Sequence, residues 1–170
     1  MIIEQFLNWV DSAKAQNRQA AASALARAYL QSDLTVDERC AAEAALTVLL
    51  DDPSPNVRLA LAEALSISHL APIHIVAALA SDQPEVASMV LVRSPLLSDT
   101  DLIDRVALGS DEVQCAIALR AQLSATVCAA IAEVGCLQAC AAMLQNEGAK
   151  IVSLSIRRIV ERFGDESAMR

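Results

Sequence analysis

The sequence predicts an all-α fold, a right-handed two-layer α-solenoid of short helical hairpins with about 10–11 helices in one domain over 1–170. Three observations predict it. Helix formers dominate, with 33 Ala and 22 Leu against four Gly and four aromatic residues. Pro, Gly and capping residues fall between apolar stripes of helical period. Above all, one unit recurs. Val57, Val86 and Val113 open apolar stripes 29 and 27 residues apart, and Leu70-Ala71-Pro72, Leu97-Ser98-Asp99 and Leu123-Ser124-Ala125 start partner helices at spacings of 27 and 26. A hairpin this short cannot bury its own stripe, so copies must stack.

Residues 1–34 read as N-terminal capping helices. The first, 2–15, places Ile2, Ile3, Phe6, Leu7 and Val10 on one side; the second, 17–31, places Ala21, Ala24, Leu25, Ala28 and Tyr29 together. The repeats occupy 35–145. Thr35 and Glu38 match a capping box for a helix to Leu50. Asp51-Asp52-Pro53 breaks that run, Ser54 is a candidate N-cap, and Pro55 suits the first position of a helix whose stripe is Val57, Leu61 and Leu65, backed by Ala60 and Ala64. Pro72 opens a helix to Ala80, and Ser81-Asp82-Gln83-Pro84 opens one to Arg93. Ser98 and Asp101 form an acidic capping box for a helix to Leu108; Gly109-Ser110 leads into one reaching Ala121; Ser124 caps one that Gly135 ends. Residues 136–145 form a short helix, Gly148 follows it, and a C-terminal helix occupies 149–164. No strand pattern emerges. The few rings, Phe6, Trp9, Tyr29 and Phe163, lie towards the ends and are expected to cover the termini of the stack.

The net charge of −8 repels phosphate backbones, which argues against nucleic-acid binding. Arg157, Arg158 and Arg162 are the one basic concentration and read as a solvated helix face. Met1-Ile2-Ile3-Glu4 lacks the basic start of a signal peptide, and the longest uncharged stretch, 64–81, is divided by Pro72 and polar residues, so no membrane span and a cytoplasmic protein are expected. The five cysteines (40, 115, 128, 136 and 140) sit in apolar helical contexts and read as core residues. Cys136 and Cys140 are one turn apart, but no second ligand pair accompanies them, and no metal or cofactor is expected.

His69 and His74 flank Pro72 at no known catalytic spacing, and no nucleophile–base arrangement or phosphate-cradling loop is present, so no enzyme activity is expected. Two arginines occupy matching places. Arg93 follows the stripe Val86, Met89 and Val90; Arg120 follows Val113, Ala116 and Ile117; each lies seven residues after its stripe begins. One reading has them binding helix C-terminal carbonyls or a turn Asp (Asp82, Asp99 or Asp111) of a neighbouring repeat. The other has them lining a ligand-binding concave face. Local acceptors near a last-turn Arg favour the first. Arg58 begins its helix and is a third candidate for an inner-face or interaction residue. Finally, of the 34 residues between Glu112 and Glu147 only Arg120 and Glu133 are charged. Outer helix faces normally carry charge, so 113–146 reads either as ordinary packing or as a contact surface for a second copy or a further domain.

The segments Asp33-Leu34-Thr35-Val36-Asp37-Glu38-Arg39, Leu50-Asp51-Asp52-Pro53-Ser54-Pro55-Asn56-Val57-Arg58 and Arg93-Ser94-Pro95-Leu96-Leu97-Ser98-Asp99 together resemble a bacterial, mainly alphaproteobacterial, family of HEAT-like proteins known as a domain of unknown function. The resemblance implies a cytoplasmic α-solenoid and supplies no catalytic residues. Ala87 and Gln114 depart from the Val-Arg pair of HEAT repeats, which breaks an Asp–Arg ladder beyond Arg58. The function expected is a non-enzymatic protein-interaction scaffold. The alternative is a HEAT-like ligand-binding module or lyase-type enzyme with a concave pocket.

Overall fold

The computed structural model describes residues 2–164 and, among them, eleven helices. They are α1 (Ile2–Ser12), α2 (Ala15–Gln31), α3 (Val36–Leu49), α4 (Pro55–Leu65), α5 (Ile73–Leu79), α6 (Pro84–Arg93), α7 (Asp99–Leu108), α8 (Asp111–Ala118), α9 (Ala125–Val134), α10 (Leu137–Leu144) and α11 (Ser153–Phe163). The fold is all-α. The sole β feature among the described residues is one isolated parallel bridge, Leu123 to Ala149.

Local chemistry sets most boundaries as expected. Thr35 accepts the Glu38 N–H while the Glu38 carboxylate takes the Thr35 N–H, and Ser98 and Asp101 repeat this reciprocal cap. Ser124 accepts the Val127 N–H at the start of α9. Ser54 does not play the expected part. Its hydroxyl makes no cap bond, and its own N–H donates instead to Asp52 Oδ1 at 2.9 Å. Helices α1 and α8 stop earlier than predicted, at Ser12 and Ala118.

The helices gather into two compact units. The first comprises Met1–Val90 with Ser94–Leu96, the second Leu91–Arg93 with Leu97–Arg170. The change falls over residues 91–97, around Pro95, which cannot continue α6.

In the first unit α1 packs on α3 and α2 on α4, each two places on in sequence, while α2/α3, α3/α4 and α4/α5 touch as neighbours along the chain. Val57, Leu61 and Leu65 are fully buried as the stripe predicts, as are Leu46, Leu49, Ile75 and Leu79 of the neighbouring helices. On α2 the buried line is Ala22, Ala26 and Tyr29; Ala24 and Ala28 are exposed, which corrects the predicted phase. In a run where Ala recurs almost every other residue, apolar spacing alone cannot say which Ala faces inward. The side chains of Ile2, Ile3 and Leu7 lie outside the described residues. Phe6 and Trp9 pack with their ring centres 6.0 Å apart, and Tyr29 is buried with its hydroxyl donating to Glu43 and Arg39 over its ring.

In the second unit α7, α9 and α11 form one row and α8 with α10 another, joined by the turns of each hairpin. Leu102, Val106, Ile117, Val127, Ile131, Met143 and Ile159 supply the core. The turns also meet. The Leu123 N–H donates to the Gly148 carbonyl (3.1 Å), and the Lys150 N–H donates to the Leu123 carbonyl (3.0 Å). A Cβ on Gly148 would run into the Ala121 backbone carbonyl. Gly148→Ala is therefore expected to cost about 1–3 kcal/mol, the range for overpacking a tight contact, read as a shifted urea midpoint with unchanged m-value.

Candidate functional site

The fourth residue of each even-numbered helix holds equivalent stations along the sequence: Arg18, Arg58, Ala87, Gln114 and Cys140. In the first unit Arg18 grips Asp52 with two bonds, Nε to Oδ2 at 2.6 Å and Nη2 to Oδ1 at 3.0 Å, and Nη1 donates to the Ala13 carbonyl at 2.6 Å. Arg58 repeats this one hairpin on: Nε and Nη2 grip Asp82 at 2.6 and 3.0 Å, and Nη1 donates to the Asp52 carbonyl at 2.5 Å. Asp52 is thus held at both its carboxylate and its carbonyl, and its side chain is fully buried. Burial pushes its carboxyl up, but bonds from Arg18 and the Ser54 N–H, with the charges of Arg18 and Arg58, outweigh this and hold it below the usual carboxylate value. The sequence places Asp52 only in the break after α3; the signal for its larger role is that Arg18 and Arg58 share a position counted from the helix start.

At the same station in the second unit, Gln114 links with a neutral amide. It is buried, Nε2 donates to the Val106 carbonyl at 2.9 Å, and Oε1 accepts the Cys136 N–H at 2.7 Å. One amide thus ties α8 to α7 and to the start of α10. The Cys140 thiol, in turn, donates to the Ile131 carbonyl at 3.4 Å. Ala87 is buried and supplies only packing.

The predicted arginines separate. Arg58 joins the Asp52–Asp82 series just described. Half-buried Arg120 donates to the Leu91 carbonyl of α6, in line with the carbonyl-binding reading. Burial lowers its pKa, and the nearby Asp99 charge opposes that. Asp99 itself is held low by hydrogen bonds from Ser124 and Thr126. Arg93, the last residue of α6, is exposed and does not continue the buried stripe. His74, also singled out, lies near Glu43 and Thr47 of α3.

Other polar side chains tie turns together within the second unit. Asn146 Nδ2 donates to the Ala118 and Arg120 carbonyls at 2.8 and 2.7 Å, closing the end of α8. Arg162 does the same for α9 through the Ala132 and Gly135 carbonyls, both at 2.7 Å, and Arg158 grips Glu133 with two bonds of 2.9 Å. Residues read as a solvated basic face therefore clamp α11 onto α9. Both charges of the 113–146 stretch are engaged in these ties: Arg120 at Leu91 and Glu133 at Arg158. Its exposed positions other than Glu133 are uncharged, among them Leu119, Gln122, Ala129, Val134, Gln138 and Leu144. Leu119 is 60% exposed.

Among the described residues no group of three or more His, Cys, Asp or Glu side chains is arranged to hold a metal ion, and no helix is long and apolar enough to cross a membrane.

A family model described as an uncharacterised protein conserved in bacteria, DUF2336, matches residues 86–170. The chain belongs to this bacterial family of unknown function. The match begins at Val86 in α6 and runs to the chain's last residue, so it takes in all of the second unit. No curated protein and no solved structure matches the chain.

Proposed function

We propose that this DUF2336 chain is a non-enzymatic protein-interaction scaffold, a cytoplasmic right-handed α-solenoid of HEAT-like hairpins whose contact surface is the stretch 113–146. The observation that carries the proposal is that over 113–146 every exposed position except Glu133 is uncharged, while Glu133 is paired with Arg158 and Arg120 donates to the Leu91 carbonyl. A wet helix face is normally dressed with Lys, Glu or Arg, and depletion of charge marks the centre of contact patches. The packing of α1 on α3 and α2 on α4 in the first unit, of α7 on α9, α8 on α10 and α9 on α11 in the second, and polar ties between turns a repeat apart support the solenoid reading. Arg93, exposed at the end of α6, is the charged residue best placed to meet a partner directly.

Photo-crosslinking tests this reading. A crosslinker placed at Leu119 or Leu144 is expected to trap a protein of defined mass, or a second copy of the chain, in bacterial lysate. The same group at exposed Val36 or Ile67 in the first unit should trap none. Equal trapping from all four positions, or from Val36 and Ile67 alone, contradicts it.

A further inference from the structure

The sulfurs of Cys115 on α8 and Cys136 at the start of α10 lie 4.0 Å apart. Sequence spacing pairs Cys136 with Cys140, one turn away, but the fold turns Cys140 inward to the Ile131 carbonyl and brings Cys115 from 21 residues away instead. Both members of the pair are half-buried, so a small reagent can reach them, whereas Cys128 and Cys140 are buried and Cys40 stands on α3 in the other unit. The approach is built in. Gln114, the residue before Cys115, accepts the Cys136 N–H at 2.7 Å and pins that backbone against α8. Cys136 is also the N-cap of α10, its sulfur accepting the Ala139 N–H at 3.4 Å.

We propose that Cys115 and Cys136 are a redox-active dithiol, a modification site that a two-electron thiol oxidant of the peroxide class closes to an intramolecular disulfide. A disulfide needs sulfurs about 2.05 Å apart, so closing asks for about 2 Å of movement, within reach of side-chain rotation and a small helix shift. With hydrogen peroxide, one sulfur attacks the O–O bond to give a sulfenic acid and water. The second sulfur then displaces that oxygen as a second water, forming the S–S bond. Two electrons pass from the sulfurs to the peroxide oxygens, and the two thiol protons end in the two waters. Burial and the neighbouring Cys136 push the Cys115 thiol up to about 11, so at neutral pH it carries its proton. The bond would fasten α8 directly to α10.

The experiment is thiol titration and mass spectrometry of the native chain after stoichiometric hydrogen peroxide. The expected result is a fall from five free thiols to three, a mass loss of about 2 Da, and one crosslinked peptide joining 115 to 136. Cys136→Ser, which keeps an N-cap oxygen, and Cys115→Ala should each abolish the crosslink, and Cys40→Ser should leave it intact. Five thiols persisting under conditions that oxidise a small dithiol overturn the proposal. So does a crosslink that joins Cys136 to Cys140, or one that joins two chains through Cys40.

Discussion

Asp52→Ala is expected to destabilise the first unit by about 3 kcal/mol, the low end for removing one partner of a buried ion pair. The substitution strands Arg18, which loses both carboxylate bonds and keeps only the Ala13 carbonyl. It also removes the acceptor of the Ser54 N–H, which sets the turn into α4. The low end of the range applies because Arg18 retains some access to water, with 13% of its side chain exposed. Urea unfolding at pH 7 followed by far-UV circular dichroism reads the effect; a change below about 0.5 kcal/mol would mean the pair is a surface-type contact. Asp52→Asn keeps the shape and one acceptor oxygen but removes the charge, and should fall between wild type and the Ala variant.

The same carboxylate gives a pH dependence of defined sign. Its pKa is depressed in the folded state, so its contribution is fully present above the unfolded carboxyl value and is lost as pH falls through the lower folded value. The wild type should therefore lose stability in the acid range below about pH 4, and Asp52→Asn should lose less over the same interval.

Gln114→Ala is the second large effect, about 2–4 kcal/mol, because two buried backbone groups lose their partners together: the Val106 carbonyl and the Cys136 N–H. The variant Gln114→Glu separates the two halves of the role. A carboxylate can still accept the Cys136 N–H but cannot donate to Val106, and it places charge at a buried position. Both variants should be destabilised. Near-neutral results would show that water reaches these groups.

What the sequence made legible is what depends on near neighbours. Thr35 with Glu38, Ser98 with Asp101, and the stripe Val57, Leu61 and Leu65 follow from spacings of three or four residues, and these spacings are the geometry of a helix turn. The all-α class and most helix starts came with them, while the ends of α1 and α8 did not. Contacts across a repeat are less legible. Arg18 finds Asp52 across 34 residues and Cys115 finds Cys136 across 21, distances that only the stacking of helices closes. Gln114 was visible as a break in the Val-Arg pattern, yet the break concealed continuity, since a neutral amide keeps the linking role that Arg58 fills in the first unit. Arg93 and Arg120 match in sequence but not in setting, because α6 runs on to Arg93 whereas α8 stops at Ala118 and leaves Arg120 in a turn.

The central claim is that stability here is local, held within each unit by helix packing and by polar ties between turns. Amide hydrogen exchange of wild type and Asp52→Ala, followed segment by segment, tests it most directly. Protection should fall in α2 to α4 and remain at wild-type levels in α9 to α11. An equal loss of protection across all the helices would mean a single cooperative core, and would contradict the account.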